Sequence, residues 1–176
     1  RGCAVLKKNR FDWLVIIGGD GSISAGREIS KRCGIPVIGV PASIDNDVSG
    51  TDETIGFDTA IDTAISAIDK IRDTATSFDR IFVIEVMGRE HGFLALQIAL
   101  ASGAEFAIIP EIKHNMKEIC DELIKDKRQG KASGIIIFAE GAGNPHGFAE
   151  EIQQKTGLEV RVSSLGYIQR GGSPSA

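Results

Sequence analysis

No apolar run in this sequence approaches the roughly 20 residues that a membrane-crossing helix needs. Positive charge is not in excess. The 20 Lys and Arg stand against 24 Asp and Glu, a net charge of −4, so no global basic field draws in nucleic acid or anionic lipid. Cysteine is sparse: Cys3, Cys33 and Cys120 are scattered, with no C-x-x-C pair. That odd count predicts reduced thiols in a cytoplasmic protein. The three histidines, His91, His114 and His146, lack metal-ligand spacing. There is no internal repeat, no low-complexity tract, no linker and no leader pattern. What remains is ordinary for a soluble globular chain. At 176 residues, 42% hydrophobic and 25% charged, it suits one domain or most of one.

The order of elements reads βαβαβα. Trp13–Ile17 and Gly134–Phe138 are continuous apolar runs, the mark of strands covered on both faces. Val37–Val40, Ile81–Val86, Phe106–Ile109 and Val160–Leu165 supply four more strands. Between them, helices are predicted from about Ser22 to Cys33, Phe57 to Asp73, Glu90 to Ala101, from a cap at Asn115, and near Ala149 to Lys155. Gly34 and Pro36 stop the first. Ile61, Ala64, Ile65, Ile68 and Ile71 stripe the second. Asn115 caps the fourth, with Glu118 three residues on. This alternation predicts an α/β fold, a mostly parallel sheet with helices on both faces and right-handed crossovers. No sub-domain boundary is expected within 1–176.

In such a sheet the loops after the strands share one edge, and open α/β sheets bind ligands there. The Gly39–Phe57 loop carries Asp45 and Asp47, one residue apart. In extended backbone both would point to one side; the alternative is a solvated acidic turn. Gly19, Asp20, Gly21 and Ser22 follow the first strand. They form a glycine-rich connection, or a turn whose N–H groups admit a phosphate at a helix N-terminus. Asp20 adds an oxygen ligand suited to Mg²⁺. Arg89, just after a strand, is a surface charge or a bidentate phosphate ligand. Glu140 accepts a backbone hydrogen bond or a sugar hydroxyl. Together these residues fit phosphoryl transfer, which depends on positioning and charge neutralisation.

The motifs GGDGS, PASIDNDVSGTDETIGFDTA, EVMGREHG, AEGAG and LGYIQRGGSP resemble, in order and spacing, the 6-phosphofructokinase family, although GGDG alone also occurs in lipid and NAD kinases. The resemblance spans essentially the whole chain. It implies an ATP- and Mg²⁺-dependent kinase acting on fructose 6-phosphate. By motif position, Gly19, Asp20, Gly21 and Ser22 match the nucleotide-phosphate turn. Asp20 and Asp47 lie at the metal, Asp45 at the base, and Arg89 among the catalytic residues. Ser43, Met87, Gly88, Arg89, Glu140, Tyr167 and Arg170 match sugar-phosphate contacts. Ser43 stands where Thr is usual, and Tyr167 where bacterial members often have His. Arg80 and Arg161 match positions that reach a neighbouring subunit's substrate, which implies a homo-oligomer, usually a tetramer.

Arg72, Glu105 and Lys131 match an effector pocket for a nucleoside diphosphate or phosphoenolpyruvate, while Gln129 replaces a usual Lys. Small residues at Gly21 and Ala42 favour ATP over pyrophosphate. The rival readings are a pyrophosphate-dependent enzyme and a non-catalytic sugar-phosphate-binding subunit. The latter would be expected to lose Asp20, Asp45 or Arg89, and all three are present. Arg1 is not an initiator Met, and GYIQRGGSPSA stops inside a glycine-rich motif. The chain is therefore expected to be an internal segment, inactive alone.

Overall fold

The computed structural model describes residues 2–175. The chain divides into two compact units, residues 1–57 and 58–176. The alternating pattern holds, but the single sheet expected from sequence is two parallel sheets among the described residues, one of two strands and one of four.

In the first unit, β1 (Leu14–Gly18) pairs in parallel with β2 (Val37–Pro41). Helix α2 (Asp20–Cys33) connects them and ends on Gly34 at φ 68°, the left-handed stop foreseen from sequence. Two glycines allow the helix to lie close to the strands. A Cβ on Gly26 would stand 2.6 Å from Ile16 Cδ1, and one on Gly39 would stand 2.8 Å from Ile23 Cδ1. Coverage on both faces does not hold for the first strand. Trp13, Val15 and Ile17 are exposed, as is Ile38 on β2, because α2 packs against the face that carries Ile16 and Val37.

Helix α1 (Gly2–Lys8) was not legible in the sequence. Cys3 within it forms a disulfide with Cys33 at the end of α2, the Cα atoms 5.1 Å apart. The expectation of three reduced thiols is therefore corrected: thirty residues of separation are closed by the packing of α1 on α2, within disulfide reach. Cys120 stays free and buried, and burial raises its thiol pKa above the usual 9.0, which keeps it protonated and inert.

The second unit opens with α3 (Phe57–Ser77), whose Ala60, Ala64 and Ile68 are fully buried. Its sheet runs β4 (Phe106–Ile108), β5 (Gly134–Ala139), β3 (Ile81–Val86), β6 (Val160–Ser164), all parallel. Strand alternation sends Ile81, Val83, Ile136 and Phe138 to one face. There they join Ile119, Cys120 and Leu123 of α5 (Met116–Arg128) and Phe148 and Ile152 of α6 (Pro145–Thr156) in one core cluster. Ile84, Ile135 and Ile137 alternate to the opposite face. Helix α4 (Phe93–Ser102), which buries Leu94, Ala95 and Ile98, packs on β5 and β4. Asn115 caps α5 by accepting from Lys117 N at 3.1 Å, with no return bond from Glu118. Asn144 caps α6 by accepting from His146 and Gly147 N–H, so that helix starts earlier than expected.

Candidate functional site

In the first unit the glycine turn after β1 opens directly into α2. Gly19 is the cap residue, at φ −77° and ψ −171°, and Asp20 lies in the first turn. Helix starts leave N–H groups without intrahelical acceptors, and the dipole favours an anion there. Asp20 and Gly21 are exposed at this start. A Cβ on Gly19 would touch Ser43 Cβ at 3.5 Å, and Ala42 N donates to Gly18 O at 3.0 Å. The turn and the loop after β2 are therefore neighbours.

That loop is cross-braced. Asn46 Oδ1 accepts from Thr54 N at 2.9 Å, and Asn46 Nδ2 donates to Asp52 O at 3.2 Å. Thr54 Oγ1 donates to Ser43 O at 2.5 Å. These bonds hold Asn46 at φ 53°, in the left-handed region that Asn tolerates. The extended geometry proposed for Asp45 and Asp47 is thus corrected: a left-handed residue separates them. Asp45 is buried, at 8% exposure, and its N–H donates to Ser43 Oγ at 3.2 Å. Asp47 holds Oδ1 buried without a hydrogen-bond partner. Such an atom costs on the order of 1–3 kcal/mol unless a donor or cation completes it. Among the described residues, no group of three or more His, Cys, Asp or Glu side chains gathers to hold a metal.

In the second unit the turn Met87–Arg89 is suspended by its backbone. Gly88 N and Arg89 N both donate to Glu140 Oε1, at 3.2 and 2.5 Å. Met87 N donates to Gln169 Oε1 at 2.9 Å. Glu140 thus accepts backbone hydrogen bonds, the first of the two readings open from sequence. Gly88 sits at φ 138° and Arg89 at φ 53°, so the turn lifts Arg89 out to an exposed position. Glu111 holds the following bend by accepting from Gly92 N at 2.8 Å. Tyr167 and Arg170 lie in a short 3-10 segment, Gly166–Arg170, and the Arg170 guanidinium stands 5.0 Å from the Tyr167 ring centre. Sequence reasoning missed Gln169, Glu111, Asn46 and Thr54 as organisers.

Arg80 and Arg161 do not join this turn. Arg80 precedes β3 and Arg161 pairs with Phe82 near its start, whereas Met87 follows its end. Six strand residues set these ends about 20 Å apart. Arg80 Nε lies 2.9 Å from Glu159 Oε1 without alignment for a hydrogen bond, and Arg161 reaches the same oxygen at 2.5 Å. Arg80 and then Arg161 hold the Glu159 carboxyl below its ordinary 4.5. Arg72 donates to Ser102 O at 2.6 Å, and Lys131 pairs with Glu105 at 2.7 Å. That bond to Glu105 raises the Lys131 pKa. Glu105 also accepts from Ile135 N at 2.5 Å.

Parallel strands joined by helices, with glycine turns at the strand ends, define an α/β protein. A family model described as phosphofructokinase matches residues 1–176, and the chain belongs to that family. The ATP-dependent 6-phosphofructokinase of Bacillus subtilis is 54% identical over 176 residues, all of this chain and 55% of that protein. The protein of the same name from Halalkalibacterium halodurans is 53% identical over 175 residues, 99% of this chain and 54% of that one. The chain therefore spans about half the length of these relatives. Among solved structures, phosphofructokinase from Pichia pastoris in the T-state superposes with a TM-score of 0.92 at 31% identity, over 99% of this chain and 20% of that one. The Saccharomyces cerevisiae structure gives 0.88 at 33%, over 98% of this chain and 27% of that one.

Proposed function

We propose that the protein transfers the γ-phosphoryl group of ATP to the 1-hydroxyl of fructose 6-phosphate, forming ADP and fructose 1,6-bisphosphate. This is the glycolytic reaction of an ATP-dependent 6-phosphofructokinase, with residues 1–176 acting within one catalytic region. The observation that carries the reading is 53–54% identity, along the whole chain, to relatives that bear that name.

In this reading the glycine turn at Gly19–Ser22 receives the nucleotide phosphates. Asp45 takes the proton of the 1-hydroxyl as its oxygen attacks the γ-phosphorus and the bond to ADP breaks. Arg89 neutralises phosphate charge in transfer. Ser43, Met87, Gly88, Glu140, Tyr167 and Arg170 bind and orient the sugar phosphate. Mg²⁺ would be held by Asp20 and Asp47, where it supplies charge neutralisation on the phosphates. The buried, unpartnered Asp47 Oδ1 supports that assignment. The small residues at Gly21 and Ala42 leave room for a nucleotide, which supports ATP rather than pyrophosphate as donor.

Arg80 and Arg161, at the far end of β3 from Arg89, support a homo-oligomer in which they serve a second copy's sugar phosphate; a tetramer is proposed. The Glu105–Lys131 pair, with Arg72 on the nearby Ser102 carbonyl, supports an effector site. Among the described residues no helix is long and apolar enough to cross a membrane. The cytoplasmic placement rests on the family resemblance, and the Cys3–Cys33 bond bears against it. Acid quenching and alkylation of intact cells would report the state of that pair.

The test titrates the full-length protein that carries residues 1–176 with fructose 6-phosphate, Mg²⁺–ATP and pyrophosphate by calorimetry and follows turnover with each donor; turnover by residues 1–176 alone should not exceed that of an Asp45→Ala control. Sugar phosphate and ATP should bind, and turnover should need ATP; turnover with pyrophosphate alone gives the reading to the pyrophosphate-dependent rival. Asp45→Asn should cut turnover by about 100-fold or more and leave fructose 6-phosphate affinity nearly unchanged, since a base acts in the transition state. Equal losses in both would remove Asp45 from that role.

A further inference from the structure

We propose that Gln169 is a positioning residue for sugar-phosphate recognition, its amide oxygen fixing the Met87 N–H and thereby the turn that presents Arg89. The inference rests on the kinase reading and deepens it. Gln169 is 1% exposed, the most deeply buried polar side chain among the described residues. Its Oε1 accepts from Met87 N at 2.9 Å, 82 positions away in the chain. Its Nε2 is buried and has no hydrogen-bond partner. The Met87 donor fixes which end of the amide faces it, because an NH₂ group cannot accept.

The acceptor half of this buried amide is the half that makes a hydrogen bond. The three consecutive N–H groups of Met87, Gly88 and Arg89 are thus held by two side chains, Gln169 for the first and Glu140 for the other two. Gly88 and Arg89 both sit at positive φ. The turn therefore depends on these anchors for the direction in which it sends the Arg89 side chain. Gln169 also lies within the 3-10 segment that carries Tyr167 and Arg170. One amide therefore ties two sugar-phosphate contact segments into a fixed relation.

The test compares the wild type with Gln169→Met, which keeps the volume and removes the acceptor, and Gln169→Glu, which keeps an acceptor oxygen. Amide exchange followed by NMR near pH 6 should show Met87 protected in the wild type. Exchange there should be at least about tenfold faster in the Met variant, with Val83 and Ile84 unchanged, and protection should return in the Glu variant. Fructose 6-phosphate affinity should weaken by roughly 10- to 100-fold in Gln169→Met, with ATP affinity unaltered and the loss largely restored in Gln169→Glu. A Met87 amide that exchanges alike in all three proteins overturns the proposal, as does equal weakening for sugar and ATP. If Gln169→Met does not fold, loss of Met87 protection or of selective sugar affinity in folded Gln169→Glu overturns it. If the wild type binds no fructose 6-phosphate, the kinase reading fails by itself, and Met87 exchange still decides whether Gln169 holds the turn.

Discussion

A single methyl group tests the turn before Arg89. At Gly88, φ is 138°, and a Cβ there would stand 2.7 Å from the His91 carbonyl oxygen. Gly88→Ala is expected to cost about 1–3 kcal/mol in backbone strain alone, read as a lower urea midpoint. An unchanged midpoint would mean the turn relaxes freely. At the other end of β3, Glu159 has its carboxyl pKa lowered by Arg80 and Arg161. A depressed carboxylate contributes stability above its ordinary 4.5 that is lost as pH falls through the folded value. Melting temperature should therefore drop as pH falls below about 4.5, and Glu159→Gln should flatten that part of the profile. Identical profiles for the two proteins would show that the ion pairs contribute nothing. The residue types proposed for the candidate site are visible in the sequence, because carboxylates, glycines and arginines announce their chemistry. Their geometry was not legible. The left-handed Asn46 is held by Thr54, eight residues on, and no local pattern signals that bond.

Elements were legible wherever apolar runs met glycine or proline. Strand β3 spans Ile81–Val86 as expected, and α2 stops at Gly34 as expected. Helix α1 escaped because Gly2, Cys3 and Val5 are weak helix formers; its place is fixed by a covalent bond to α2 rather than by local preference. The 3-10 segment Gly166–Arg170 escaped because such short turns have no apolar period. Burial decides which elements matter most to stability. Ile152 of α6 is fully buried against the core built on β3 and β5. Ile152→Ala should lose about 2–5 kcal/mol in chemical denaturation. A loss under 1 kcal/mol would mean that the helix repacks over the gap.

At the scale of the molecule, two compact units emerged where the sequence offered no linker. Chain continuity through Phe57 hides that division, because α3 begins without any Pro, Gly or Ser-rich spacer after Gly56. The first unit has few buried side chains and carries the disulfide. Closing the 30-residue separation restricts the unfolded chain. Cys3→Ser is expected to lower stability by about 2–4 kcal/mol, and reductant should bring the wild type to the variant's midpoint. Midpoints that neither change moves would show that the bond does not constrain the chain in solution.

The order β4-β5-β3-β6 places β3 between two neighbours, and each neighbour's trailing segment sends one side chain, Glu140 or Gln169, back to the same loop. Transplanting Met87–Arg89 alone onto another scaffold would carry Arg89 without its alignment. A faithful graft needs three adjacent strands and the tails of both flanking ones. Exchange of this loop in the present chain is thereby limited to blocks that keep all three together.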